Sequence, residues 1–244
     1  MKRFYYDFHV HSCLSPCGDD DMTPNNIAGM EKLNEIDIAA LTDHNSCLNC
    51  PAFFEAAERY GVIPIAGMEL TTAEDIHVVC LFETPECGLK FGEEIDSHRP
   101  KILNRPSIFG KQLILNGDDE IIGEEEKLLI NASDLSLEQA FSLVKSYGGI
   151  CYPAHVDREA NGIIAALGTF PDTPEFAFAE FHDKENIVKY RQLYPILTQK
   201  EVLVSSDAHY LQNLPEKGEY IELPDGSPQS VRAALFQKLR SGRI

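Results

Sequence analysis

The chain has 244 residues, 43% hydrophobic and 25% charged, enough to bury its own core as one large domain or two small ones. Its formal net charge of −18 repels nucleic-acid backbones and anionic lipid, so a polymer substrate held by charge neutralisation is not expected. No apolar run nears the ~20 residues of a membrane span, Met1 to Asp7 meets charge too early for a signal peptide, and seven cysteines, an odd number, do not suit a secreted disulfide scaffold, so the expected location is cytoplasmic.

The N-terminal third alternates short apolar runs with amphipathic segments, the rhythm of βα units around a largely parallel sheet. Phe4 to Val10 reads as a strand. Thr23-Pro24 opens a helix as N-cap and first-turn proline, running to about Leu33. Ile36 to Leu41 reads as a buried strand ending at Thr42-Asp43-His44, and Pro51 to Tyr60 as a helix stopped by Gly61. Val62 to Ala66 is the next strand, ending at Gly67-Met68-Glu69-Leu70, and Ile76 to Phe82 the fourth.

From Pro85 to Asn131 the rhythm breaks. Pro and Gly are scattered here, Arg99, Lys101, Arg105 and Lys111 gather, and Gln112 to Gly123 looks like a hairpin turning at Asn116-Gly117. This reads as an insertion across one face of a single domain. Ser136 and Gln139 then form a capping box for a helix to Tyr147. Strands follow at Ile150 to Pro153, Phe176 to Phe181 and Val202 to Ser205, and Ser227-Pro228 starts a closing helix that ends at Gly242.

The chemically able residues sit at strand ends. His9, His11, His44, Glu69, His155, Asp207 and His209 all lie at or just past the C-terminal end of an expected strand, where α/β sheets and barrels build active sites. His77 opens its strand instead, so either that boundary is misplaced or the strand runs in reverse. His9 and His11, two apart on an extended segment, project to one side and can share a metal at about 2.0–2.1 Å each. Asp207-Ala208-His209 repeats the spacing with a carboxylate. Together with His44 and Glu69 these make a nitrogen/oxygen cluster suited to Zn, Mn or Fe. Without metal, burying so many polar groups together carries a severe desolvation cost.

Seven segments in order, Phe8-His9-Val10-His11-Ser12, Gly18-Asp19 to Thr23-Pro24, Leu41-Thr42-Asp43-His44, Gly67-Met68-Glu69-Leu70, Ile76-His77-Val78, Pro153-Ala154-His155 and Ser206-Asp207-Ala208-His209, resemble the motifs of the polymerase and histidinol phosphatase (PHP) family. The resemblance spans most of the chain apart from the insertion. It implies a distorted (β/α)7 TIM-like barrel with two or three divalent metal ions acting on phosphate esters. By the same resemblance, His9, His11 and Asp207 hold the first metal, Glu69 bridges, His77 and His155 serve the third, and His44 and His209 serve the second with a first-loop residue. That loop departs from the usual Ser-Asp-Gly: Gly18-Asp19-Asp20-Asp21 favours Asp19, with Asp20 the alternative. Arg158 resembles the arginine that holds a substrate phosphate.

The expected function is hydrolysis of a small phosphorylated metabolite or nucleotide by metal-activated hydroxide, because metals bring the pKa of bound water to about 7. Asp207 or His209 would protonate the leaving alcohol, and Asp43 and Asp7 would orient ligand histidines. His182 reads as a hydrogen-bonded rim histidine. Cys13, Cys17, Cys47 and Cys50 read as small buried residues, with a structural zinc site or redox pair as the alternative. The competing functions are a PHP-type exonuclease, which the acidic balance opposes, and a non-catalytic metal-binding module, which so complete a ligand set opposes.

Overall fold

The computed structural model describes residues 1–244. In chain order it runs β1 (Lys2–Val10), α1 (Pro24–Leu33), β2 (Ile38–Leu41), α2 (Cys50–Tyr60), β3 (Ile63–Thr71), β4 (His77–Phe82), α3 (Pro85–His98), α4 (Pro106–Phe109), β5 (Leu113–Leu115) and β6 (Ile121–Glu124). There follow α5 (Leu137–Ser146), β7 (Ile150–Pro153), α6 (Ile163–Leu167), β8 (Phe178–Phe181), α7 (Asn186–Leu193), β9 (Glu201–Val204), β10 (Tyr220–Leu223) and α8 (Pro228–Arg240). Local chemistry sets several ends. The Thr23 hydroxyl accepts from the Asn26 N–H ahead of Pro24, Ser136 and Gln139 close a reciprocal capping box, and Gly61 takes the left-handed φ of 74° after α2.

Six strands form one curled sheet in the order β10-β1-β2-β3-β4-β7, and β8 and β9 pair parallel beside it. β1, β2 and β3 are mutually parallel, whereas β4 runs antiparallel to both β3 and β7. The reversal of β4 resolves the position of His77. A strand that opens at the mouth puts its first residue where its neighbours put their last, and Thr71 at the end of β3 faces His77. Loop hydrogen bonds close the ring. The Asp207 N–H donates to the His9 carbonyl at 2.8 Å, His11 N–H to Ala208 at 3.0 Å, and Val156 N–H to Glu180 at 2.8 Å. This is the distorted TIM-like barrel expected from the sequence.

Two hydrophobic clusters divide the interior by the period-2 alternation of the strands. The smaller joins Phe4, Tyr6 and Phe8 to Ile38, Ile63, Val79, Tyr152, Phe178, Leu203 and Ile221, with Leu235 and Phe236 of α8 plugging its end. Eight strands contribute to it, which marks it as the concave face. The larger packs α1, α2, α3 and α5 against the convex face through residues such as Ile27, Phe53, Phe91 and Val144. Along β1 the pairing register slips between Asp7 and Val10. Because of this bulge, Phe8 lies in the concave cluster yet Val10 joins the convex one, and His9 and His11 are turned toward the mouth.

The segment expected as an insertion opens with α3, whose buried Phe91 and Ile95 cover the convex face. Beyond it, β5 and β6 form the expected antiparallel hairpin. Leu113 and Leu115 pack on Cys13 in the loop after β1, and Asn49, just before α2, bonds the Leu113 carbonyl and the Leu115 N–H, fastening the hairpin to both loops. Of the gathered basic residues, Arg99 is buried and paired with Asp96 at 2.7 Å, whereas Lys101, Arg105 and Lys111 are exposed. β10, which the sequence reading lacked, pairs antiparallel with β1. No helix is long and apolar enough to cross a membrane.

Candidate metal centre

Glu69 is the hub of the mouth. It is the seventh residue of β3, and alternation from Ile63 and Ile65 carries it onto the concave face. Gly67, two residues before, leaves no room for a side chain, since a Cβ there would lie 2.6 Å from Thr42 Cγ2 and 3.0 Å from the Cys80 carbonyl. Glu69 Oε1 lies 2.8 Å from His77 Nδ1, 3.1 Å from His155 Nε2 and 3.3 Å from His9 Nε2. Its Oε2 lies 3.0 Å from His44 Nδ1 and 3.3 Å from His11 Nε2. Burial opposes ionisation of this carboxyl, but the charges of His77, His9 and His44 hold it well below the usual carboxylate range.

Asp207 completes the near side. Its Oδ1 is 3.1 Å from His11 Nε2 and 3.4 Å from His9 Nε2, and those two ring nitrogens are themselves 3.2 Å apart. That Oδ1 is buried without a hydrogen-bond partner, and so is His44 Nδ1 despite its 3.0 Å approach to Glu69. Nitrogens and oxygens so converged cannot all donate to one another, and a cation satisfies them together. Three overlapping sets have this form: His9, His11, Glu69 and Asp207; His44, Glu69 and His77; and His11, His44 and His209. The donors are imidazoles and carboxylates throughout, a set that fits Zn, Mn or Fe.

With protons standing in for metal, burial pulls His11 and His44 down, but the carboxylates beside them lift both to about 9. His209 goes the other way, to about 3, through burial and the neighbouring charge of His11. His155 and Asp207 adopt positive φ of 28° and 51°, unusual for residues with side chains, at the points where the chain leaves β7 and β9.

The expected first-loop ligands are not brought in. The Asp19 carboxylate accepts the Asp21 N–H at 2.9 Å, an Asx turn that fastens its own loop, and Asp20 is exposed. Neither belongs to the three sets. All seven cysteines are free, and none belongs to such a set either. Arg158 places Nη1 2.5 Å from Asp207 Oδ2 and Nη2 3.3 Å from the His182 ring, at the rim and over a third exposed. The expected orienting carboxylates act indirectly. Asp43 accepts from the Ser15 hydroxyl at 2.7 Å, and Ser15 meets His11 Nδ1 at 2.9 Å. Asp7 instead accepts the backbone N–H groups of Ser206 and His9, at 3.0 and 3.3 Å.

Sequence reasoning missed Ser15 and Glu180. Glu180 Oε1 is 2.8 Å from His9 Nδ1. Its signal lay in the β8 segment Phe-Ala-Glu-Phe, where a charge shares a strand face with Phe178.

The sequence matches the PHP domain family over residues 7–162. No curated protein sequence matches significantly. Among solved structures, the lesion-specific endonuclease Q of Pyrococcus furiosus superposes with TM-score 0.67 at 16% identity, covering 97% of this chain and 56% of that one. Endonuclease Q bound to a 27-mer duplex substrate with an abasic lesion at the active site gives TM-score 0.59 at 16% identity, covering 96% and 56%. A candidate metal-dependent phosphoesterase from Bifidobacterium adolescentis gives 0.58 at 16%, covering 98% and 96%. The chain thus spans a little over half the length of endonuclease Q, and at these identities the likeness is one of fold. It also corrects the expectation that a nucleic-acid polymer is unlikely as a partner, since endonuclease Q of this fold binds a 27-mer duplex substrate with an abasic lesion at the active site. Net charge sums the whole surface, whereas strand binding depends on the local charge around the mouth.

Proposed function

Because the chain belongs to the PHP domain family, we propose that it is a metal-dependent phosphoesterase hydrolysing a phosphate ester at the Glu69 centre, with two or three divalent ions. The observation that carries this reading is the convergence of five histidine nitrogens within 3.3 Å of one buried carboxylate, with Asp207 Oδ1 unpartnered beside them. When bound, the ions would supply Lewis acidity, acidifying water and neutralising charge on the phosphoryl oxygens. His9, His11, Glu69 and Asp207 would hold one ion, and His44 with His77, His155 and His209 would hold the others around the shared Glu69. Arg158, tethered to Asp207 and half open to solvent, would swing one face of its guanidinium onto a substrate phosphate. His209 is kept neutral by burial and by His11, and its Nδ1 is held by the Asp207 carbonyl at 2.9 Å. With Nδ1–H given to that carbonyl its other nitrogen carries no proton, and Asp207 is held ionised by His9 and His11, so both would serve as metal ligands while the leaving oxygen would take its proton from water.

Two substrate classes fit this chemistry. Small phosphate monoesters are one. A nucleic-acid phosphodiester is the other, and the fold shared with endonuclease Q favours including it. Protein loaded with Mn, Fe or Zn is to be assayed on an aryl phosphate monoester, an aryl phosphodiester, a panel of phosphorylated metabolites and an abasic duplex. Turnover that chelation abolishes and metal restores supports the proposal, and the substrate that turns over fastest assigns the class. Protein that binds metal yet is inert on every one of them refutes it.

A further inference from the structure

Glu180 lies beneath the metal centre, contributing nothing to the three ligand sets. It is the third residue of β8, paired with Leu203 of β9, and its side chain is almost fully buried. One oxygen, Oε1, serves two partners. It is 2.8 Å from His9 Nδ1 and accepts the His155 backbone N–H at 3.2 Å. The other, Oε2, is buried without a partner. His9 belongs to β1 and His155 lies just past the end of β7, so a single atom ties together two walls of the mouth.

We propose that Glu180 is a positioning residue of the metal centre, fixing the His9 ring and the His155 backbone through one carboxylate oxygen. An imidazole offers a metal the nitrogen that carries no proton. With Nδ1–H donated to Glu180, His9 presents Nε2, the atom that faces Glu69, Asp207 and His11 at 3.2–3.4 Å. The second bond acts on geometry instead of on a tautomer. His155 sits at φ 28°, a conformation a residue with a side chain keeps only when its surroundings impose it, and Glu180 holds the N–H of that residue. Its Nε2 is thereby kept 3.1 Å from Glu69. Hydrogen-bond partners of ligand histidines commonly change metal affinity by about 10- to 100-fold when removed.

The inference rests on the reading that the cluster holds metal, and its test reads metal binding instead of catalysis. Zinc affinity and stoichiometry are measured on the full chain by competition with a chromophoric chelator, for wild type, Glu180→Ala and Glu180→Gln. The histidine ring nitrogens of the zinc-loaded proteins are followed by 15N NMR. Glu180→Ala should bind zinc about 10- to 100-fold more weakly and lose the Nδ1–H signal of His9. Glu180→Gln has the same shape and keeps a carbonyl that accepts both bonds, so it should retain most of the affinity and the signal. Glu180→Ala binding zinc like wild type overturns the inference. So does Glu180→Gln losing as much as Glu180→Ala, because the accepted hydrogen bonds would then not be what matters. Should Glu180→Ala fail to fold, the Gln variant decides alone, by keeping or losing the His9 signal. Failure of the hydrolase reading looks different: wild-type protein loaded with zinc and inert.

Discussion

Replacing Glu69 by Gln tests the centre at its hub. The substitution keeps the side chain's shape and one carbonyl oxygen but removes the negative charge that faces His9, His11, His44, His77 and His155 at 2.8–3.3 Å. Taking one partner from a buried charge pair costs about 3–5 kcal/mol. At about 1.4 kcal/mol per factor of ten, a bound cation that loses this carboxylate should dissociate about 10²–10⁴ times more readily. Elemental analysis after dialysis against graded chelator measures that loss, and ester hydrolysis by the metal-loaded variant should fall at least in parallel. Circular dichroism establishes that the fold is kept. If Glu69→Gln retains wild-type metal content and hydrolysis within about threefold, well short of that loss, the hub reasoning is wrong and the metals lie elsewhere.

Further outcomes follow from the same geometry. His9→Ala and Asp207→Ala should each nearly abolish hydrolysis, and unchanged turnover in either would mean that the site is misplaced. In the metal-free protein His11 and His44 are raised from 6.5 to about 9, so zinc must displace protons from them, and apparent affinity should climb with pH and level off above about 9. By linkage, these raised groups stabilise the metal-free fold fully below 6.5 and cease to do so as pH rises through about 9, which melting curves across that range should show. Arg158→Ala should raise KM more than it lowers zinc content, since the guanidinium touches Asp207 from the solvent side; loss of zinc with unchanged KM would make it a structural tether. Gly67→Ala should destabilise by about 1–3 kcal/mol in thermal or denaturant unfolding, because the added methyl meets Thr42 and two strand carbonyls. A wild-type melting point would mean the strands part more easily than their packing suggests.

The sequence determined the alternation of strand and helix, the caps at Thr23 and Ser136, and the clustering of His9, His11, His44, Glu69, His155, Asp207 and His209 at strand ends, because those are local patterns of period, hydrogen bonding and sequence order. Other features needed the folded chain. Only pairing shows that β4 runs in reverse, which brings His77 to the mouth. The bulge in β1 arises from its register against β2, and it sends Phe8 and Val10, two residues apart, to opposite sides of the wall. The resemblance to the family placed Asp19 at a ligand position, yet its carboxylate is turned to the Asp21 N–H. Glu180 stands 171 residues from His9, and no local pattern relates the two. Strand direction, register and long-range hydrogen bonds are set by how the whole chain buries its apolar faces and satisfies its buried polar atoms, so they are properties of the assembled barrel and of no single segment.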